Sequence, residues 1–124
     1  MLRTGVDIIE IARVERVMAR SSERFLARIF TPQERAYCQE RVASLAGRFA
    51  VKEAVAKALG TGIGEMTWAE IEVVSDESGR PELVLHGAAK RLADELGLKE
   101  WSISLSHTEN HAIGFAVAMG AFIK

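Results

Sequence analysis

The sequence predicts an α+β fold in one compact domain, and three observations carry that expectation. Apolar residues recur at helical spacing through much of the first sixty residues, a strong helix start stands at "TPQE", and the apolar period changes to two in the C-terminal half. Residues 3 to 9 read as a strand, after which "EIARVERVMAR" turns helical with Ile11, Val14, Val17 and Met18 on one side. A helical turn or two covers residues 22 to 29. In "TPQE", Thr31 supplies the N-cap, Pro32 the first helical position and Glu34 the third, starting a helix that runs to about residue 42. Residues 44 to 59 form a long helix, and Gly60 stands where a left-handed cap is wanted.

The second half is built from strands. Ala69, Ile71 and Val73 alternate with Glu70, Glu72 and Val74, "ESGRP" supplies a turn, and "ELVL" returns, which makes a hairpin. Residues 86 to 96 form a helix whose stripe is Ala88, Ala89, Leu92, Ala93 and Leu96, ended by Gly97. "WSISLS" alternates Trp101, Ile103 and Leu105 with serines. After "HTENH", the bulky Ile113, Phe115, Val117 and Met119 alternate with Ala112, Gly114, Ala116 and Ala118, giving a second hairpin. The small-residue face of that last strand is expected to admit a helix or another subunit at close range.

Composition narrows the function classes. A chain of 124 residues, 48% hydrophobic, suits one domain spanning 1 to 124 that buries roughly two thirds of its unfolded surface. Cys38 is the only cysteine, so an internal disulfide is excluded and a reducing cytoplasm is the expected setting. No uninterrupted apolar stretch is long enough for a signal peptide or membrane span, so a soluble chain with no membrane partner is expected. The formal net charge is −1, yet residues 1 to 60 hold 11 Lys/Arg against 7 Asp/Glu while the remainder hold 5 against 10. A near-neutral whole argues against a general nucleic-acid binder, whereas the basic half suits an anionic partner.

The chemistry concentrates in "GRFAVKEAVAKALGTGIG", residues 47 to 64. At about 100° per residue, Phe49, Glu53, Ala56 and Lys57 share one side of the helix. An exposed Glu53–Lys57 pair one turn apart is ordinarily a minor helix stabiliser. Three neighbours point further. Asp7 interrupts an apolar strand and needs water or a cationic partner, because burying it unpaired costs several kcal/mol. "GTGIG" lets backbone amides approach phosphate oxygens closely, although such a loop is by itself a weak signal. Arg48, Lys52 and Lys57 supply cations for several phosphate charges. Two carboxylates from separate elements, with cations and a glycine loop, describe a Mg²⁺ and phosphate site, since Mg²⁺ is usually held by one or two carboxylates, substrate oxygens and water. No Walker or GxGxxG fingerprint is present.

At these residues the sequence resembles the bacterial holo-[acyl-carrier-protein] synthases, the small 4′-phosphopantetheinyl transferases. The resemblance runs over nearly the whole chain, through "GVDIIEIARVERV", "FTPQE", "LAGRFAVKEAVAKALGTGIG", "AEIEVVSD", "GRP" and "SLSHT". Two signatures carry it: Gly5-Val6-Asp7, and the helical set Phe49, Lys52, Glu53 and Lys57. Phe49 stands where many members of that family have tryptophan, and the tail "GAFIK" is more apolar than usual.

The resemblance implies transfer of the phosphopantetheine arm of coenzyme A to a serine of apo acyl carrier protein, releasing adenosine 3′,5′-bisphosphate, in the service of fatty acid biosynthesis. Asp7 and Glu53 match the family's Mg²⁺ ligands. Glu53, directly or through a metal-bound water, would accept the serine proton, and Lys57 would neutralise charge at the pyrophosphate. Arg48 and Lys52 would address the nucleotide's other phosphate or its ribose. Gly60, Thr61 and Gly62 match the loop that lies along the coenzyme, and Ser106, His107 and Thr108 a second coenzyme-contacting turn. The family's bacterial members assemble as trimers with active sites at subunit boundaries, so Arg48 and His107 could serve a neighbour's site.

Independently of the family, Arg13, Arg16 and Arg20 fall within about 60° around the first helix. A solvated face is the plain reading; in the family this helix docks the acidic carrier protein, with Arg13 in the principal position. His107 and His111 have the spacing of a helical zinc pair but sit in a turn with no third ligand marked, and His86 reads as a surface or helix-start residue. Three rivals stand beside the enzyme reading. A noncatalytic coenzyme-binding module does not need both Asp7 and Glu53, a purely structural oligomer needs none of these residues, and a transferase for a peptide or polyketide carrier domain shares every catalytic residue.

Overall fold

The computed structural model describes residues 1–60 and 62–120. The chain runs through β1 (Leu2–Glu10), α1 (Ile11–Arg20), α2 (Glu23–Ile29), α3 (Pro32–Cys38) and α4 (Val42–Leu59). A 3-10 turn (Trp68–Glu70) leads into β2 (Ile71–Ser75) and β3 (Pro81–Leu85), followed by α5 (Gly87–Glu95), β4 (Leu98–His107) and β5 (His111–Gly120). Helices are grouped early and antiparallel strands late, which is the expected α+β arrangement.

β1, β5 and β4 form one antiparallel sheet in that order, and β2 with β3 forms a separate two-stranded ribbon. The register sets Asp7 of β1 opposite Gly114 of β5, and Gly114 opposite Leu105 of β4. α4 packs across one face of this sheet, and two glycines decide how closely. A Cβ on Gly5 would lie 1.8 Å from the Ala54 carbonyl oxygen, and one on Gly114 would lie 2.4 Å from the backbone of Ala50. Ala112, Ala116 and Ala118 are fully buried beside them. Between the two occupants considered for the small-residue face of β5, the chain's own helix α4 takes the place. The bulky face of β5 points the other way, joined by Leu2, Val6 and Ile8 of β1, and remains open.

The helix ends follow local chemistry. Thr31 Oγ1 accepts from Glu34 N at 3.1 Å and Glu34 Oε1 accepts from Thr31 N at 3.0 Å, a complete capping box. α3 is shorter than predicted because Gln39 turns left-handed at φ 50 and its N–H closes on the Arg35 carbonyl. Gly60, at φ 87, caps α4 as expected.

The first strand of the predicted 69–74 segment needs correction. Ala69 and Glu70 belong to the 3-10 turn, where Glu70 accepts from Thr67 N and reaches across to Ala88 N at the start of α5. Glu72 does not face water either. It is 6% exposed, accepts from Thr31 Oγ1 at 2.6 Å, and lies 2.9 Å from His86 Nε2. Alternation fails because both sides of β2 are covered, one by the main core and one by α3.

Candidate active site

Residues 3, 5 and 7 of β1 share the sheet face that meets α4, so Gly5 brings the helix close and Asp7 faces it two residues later. Lys57 Nζ donates to Asp7 Oδ1 at 2.9 Å and to the Val6 carbonyl at 3.0 Å. One helical turn earlier, Glu53 turns its carboxyl toward Asp7, close enough for the two groups to interact. Partial burial pushes the Glu53 carboxyl above the ordinary carboxylate value, the Asp7 charge pushes it further, and Lys57 and Arg13 oppose the rise. The hydrogen bond to Asp7 holds the Lys57 ammonium above its usual range. Two carboxyl groups in contact, flanked by cations, form a site that a divalent cation or a proton relieves.

The donor set fits Mg²⁺ better than a closed protein cage. Among the described residues no cluster of three or more His, Cys, Asp or Glu side chains could hold a metal, so a cation at Asp7 and Glu53 would need further oxygens from outside the chain. In the turn, His107 Nδ1 lies 3.1 Å from the Thr108 carbonyl, and the Thr108 hydroxyl accepts from the N–H groups of Asn110 and His111.

A cavity of about 590 Å³ opens directly beside the carboxylates, between β1, α1, α2 and the 3-10 turn. Asp7, Glu53 and Arg13 stand at its polar end, while Met18, Phe25 and Trp68 help line the apolar part. Sequence reasoning did not find this wall. Phe25 is 47% exposed in a short helix, and Trp68 meets Phe49 edge to face at 5.1 Å, yet no local pattern connects either with Glu53. Arg13, Arg16 and Arg20 are all exposed on α1, and of the three only Arg13 reaches the cavity.

Lys52 requires a correction. Its ammonium is fully buried, donating to Glu34 Oε1 at 2.8 Å, the Trp68 carbonyl at 3.0 Å and the Ile71 carbonyl at 2.6 Å. Glu34 is equally buried and accepts from Val73 N with its other oxygen. All three ammonium protons are therefore spent inside the fold, and Lys52 ties α3, α4 and β2 together instead of meeting a phosphate. Arg48 also packs within the fold. It is 4% exposed, stacks on Tyr37 at 4.5 Å and donates to Ser75 Oγ at 2.9 Å. Its guanidinium packs between α3 and β2, far around α4 from Glu53.

Gly60 and Gly62 follow Lys57 at the end of α4, and both are exposed. Thr61 lies outside the described residues. Ser106, His107 and Thr108 are exposed at the β4–β5 turn, and Ser106 belongs to the open sheet face, opposite the face that carries Asp7. A single chain therefore assembles Asp7, Glu53, Lys57 and Arg13, while Ser106 faces the other side of the sheet.

Residues 3–116 match the model of the 4′-phosphopantetheinyl transferase superfamily, and the chain belongs to that family. It is 50% identical to holo-[acyl-carrier-protein] synthase of Herpetosiphon aurantiacus, over 97% of this chain and 100% of the relative. It is also 50% identical to the protein of the same name from Moorella thermoacetica, over 98% and 97% of the two chains. The crystal structure of Helicobacter pylori holo-[acyl-carrier-protein] synthase in complex with coenzyme A superposes with a TM-score of 0.85 at 35% identity, covering 94% of this chain and 99% of that one.

Proposed function

We propose that this chain is a holo-[acyl-carrier-protein] synthase that works as one unit over residues 1–124. It transfers the 4′-phosphopantetheine arm of coenzyme A to a serine of apo acyl carrier protein. The observation that carries the reading is the meeting of Asp7 with both Glu53 and Lys57 beside a cavity of about 590 Å³ lined by polar and apolar side chains. A coenzyme-binding module would not need two carboxyl groups pressed together, and the cost of that repulsion is explained by a cation they share.

Mg²⁺ is the expected cation; held by Asp7 and Glu53, it would polarise the pyrophosphate and offset charge on the leaving phosphate. The carrier serine oxygen attacks the pantetheine-side phosphorus, forming the new P–O bond as the pyrophosphate P–O bond breaks. Its electron pair leaves with adenosine 3′,5′-bisphosphate. Glu53, directly or through a metal-bound water, accepts the serine proton. Lys57 stabilises the departing phosphate, and the glycine-rich segment that follows the Gly60 cap lies along the coenzyme. Arg13, Arg16 and Arg20 supply the basic face for an acidic carrier.

The assembly we infer is a trimer. Leu2, Val6, Ile8, Ile113 and Phe115 leave an apolar sheet face between 38% and 67% exposed, larger than isolated surface residues account for. Ser106 stands on that face beside Ile113, so packing through it would deliver Ser106, His107 and Thr108 to a neighbour's site. A cytoplasmic setting is supported by the buried, reduced Cys38 and, among the described residues, by the absence of a helix long and apolar enough to cross a membrane.

Intact-mass analysis of purified apo carrier protein incubated with the enzyme, coenzyme A and Mg²⁺ tests the reading. The carrier is expected to gain one phosphopantetheine arm and release one adenosine 3′,5′-bisphosphate. A carrier of unchanged mass would overturn it.

A further inference from the structure

α4 presents an electrostatic difficulty. The glycine segment follows its C-terminal end, where the helix dipole places partial negative charge, whereas phosphate groups favour the opposite end of a helix. Of the last four carbonyls of α4, Ala56 and Lys57 accept from Gly60 N. The other two, Ala58 and Leu59, accept from Arg3 Nη1 at 3.3 and 3.2 Å. The same Nη1 lies 3.0 Å from where a Cβ would stand on Gly60. Arg3 thus completes the cap and sets a permanent cation against the negative end of an 18-residue helix.

We propose that Arg3 is a positioning residue for coenzyme binding, offsetting the negative end of α4 and fixing Gly60 so that the loop receives an anionic phosphate. Arg3 and Asp7 project from the same face of β1 on either side of Gly5, so one strand controls both ends of the segment from Glu53 to Gly60. The proposal rests on the coenzyme reading above and adds a residue that touches neither substrate in that reading.

The wild-type protein, Arg3→Lys and Arg3→Met are titrated with coenzyme A by calorimetry. Transfer kinetics are measured on both substrates, and hydrogen exchange is followed at the Gly60 and Gly62 amides. Arg3→Met is expected to weaken coenzyme A binding about tenfold, equivalent to about 1.4 kcal/mol. The carrier KM is expected to hold, the two amides to exchange faster, and Arg3→Lys, which keeps the charge, to recover most of the affinity. Unchanged affinity in Arg3→Met, equal losses for both substrates, or Arg3→Lys as weak as Arg3→Met would overturn the proposal. Should Arg3→Met fail to fold, Arg3→Gln replaces it with the same two outcomes. Failure of the wild type to bind coenzyme A would instead overturn the coenzyme reading.

Discussion

Lys57 and Asp7, fifty residues apart in sequence, meet at 2.9 Å because Gly5 lets α4 lie almost against the backbone of β1. The ammonium is about half exposed while the carboxylate is 14% exposed, so the pair sits at a boundary between core and solvent. Glu53 shares Asp7 from the preceding turn. Lys57 therefore addresses the carboxylate pair as a whole, beyond the i, i+4 partnership with Glu53 that its spacing suggests.

The shared position of Glu53 and Asp7 is expected to make stability depend on pH and metal together. A folded-state carboxyl raised above its unfolded value holds its proton longer than the unfolded chain does. Without metal, the Glu53 contribution is complete below the ordinary carboxylate value and is lost as pH rises through the raised one. Mg²⁺ is expected to raise the Tm, with a larger increment at neutral than at acid pH, and Glu53→Gln to remove both effects. Thermal scans across pH with Mg²⁺ or a chelator check this.

Lys52 is expected to behave as a structural lysine. Lys52→Met strands Glu34 without its ammonium in a fully buried place, which costs about 3–5 kcal/mol. The double change Lys52→Met with Glu34→Leu should recover part of the loss. Urea denaturation of the single and double variants measures the coupling, and a KM for coenzyme A that stays level in folded Lys52→Met would separate it from Lys57.

Arg13 lines the cavity beside Glu53 and is exposed on α1. Arg13→Glu should raise the carrier KM far more than the coenzyme A KM, with the difference shrinking as salt is added. Steady-state kinetics at two ionic strengths give both numbers.

Val6 and Phe115 are register partners on the open sheet face, 53% and 38% exposed. If the open face is the proposed trimer interface, Val6→Glu or Phe115→Glu should yield monomers in sedimentation experiments, because a charge placed in an apolar interface without a partner is costly.

Local signals in the sequence were read well because they are local. The Thr31–Glu34 capping box, the Gly60 cap and the alternation in β4 and β5 each depend on residues within one turn or one strand. The role of Lys52 was hidden because its partner Glu34 looks complete as a capping-box residue, and only folding shows that its oxygens also reach Lys52 and Val73. Period two in β5 defines two faces but not which is covered. That is settled by the alignment of Gly5 and Gly114 beneath α4, a relationship between residues far apart in the chain. The cavity wall was missed for the same reason, since Phe25 and Trp68 converge only after α2 and the 3-10 turn pack together.

The central claim is that Asp7 and Glu53 act together as the metal-dependent centre of arm transfer. The most direct test compares the wild type, Asp7→Asn and Glu53→Gln in single-turnover transfer from coenzyme A to apo carrier protein with Mg²⁺. Folding of each variant is verified by its thermal transition. Each substitution is expected to slow transfer by at least about a thousandfold, the scale of losing a principal electrostatic stabiliser. Transfer by either folded variant at the wild-type rate would contradict the account.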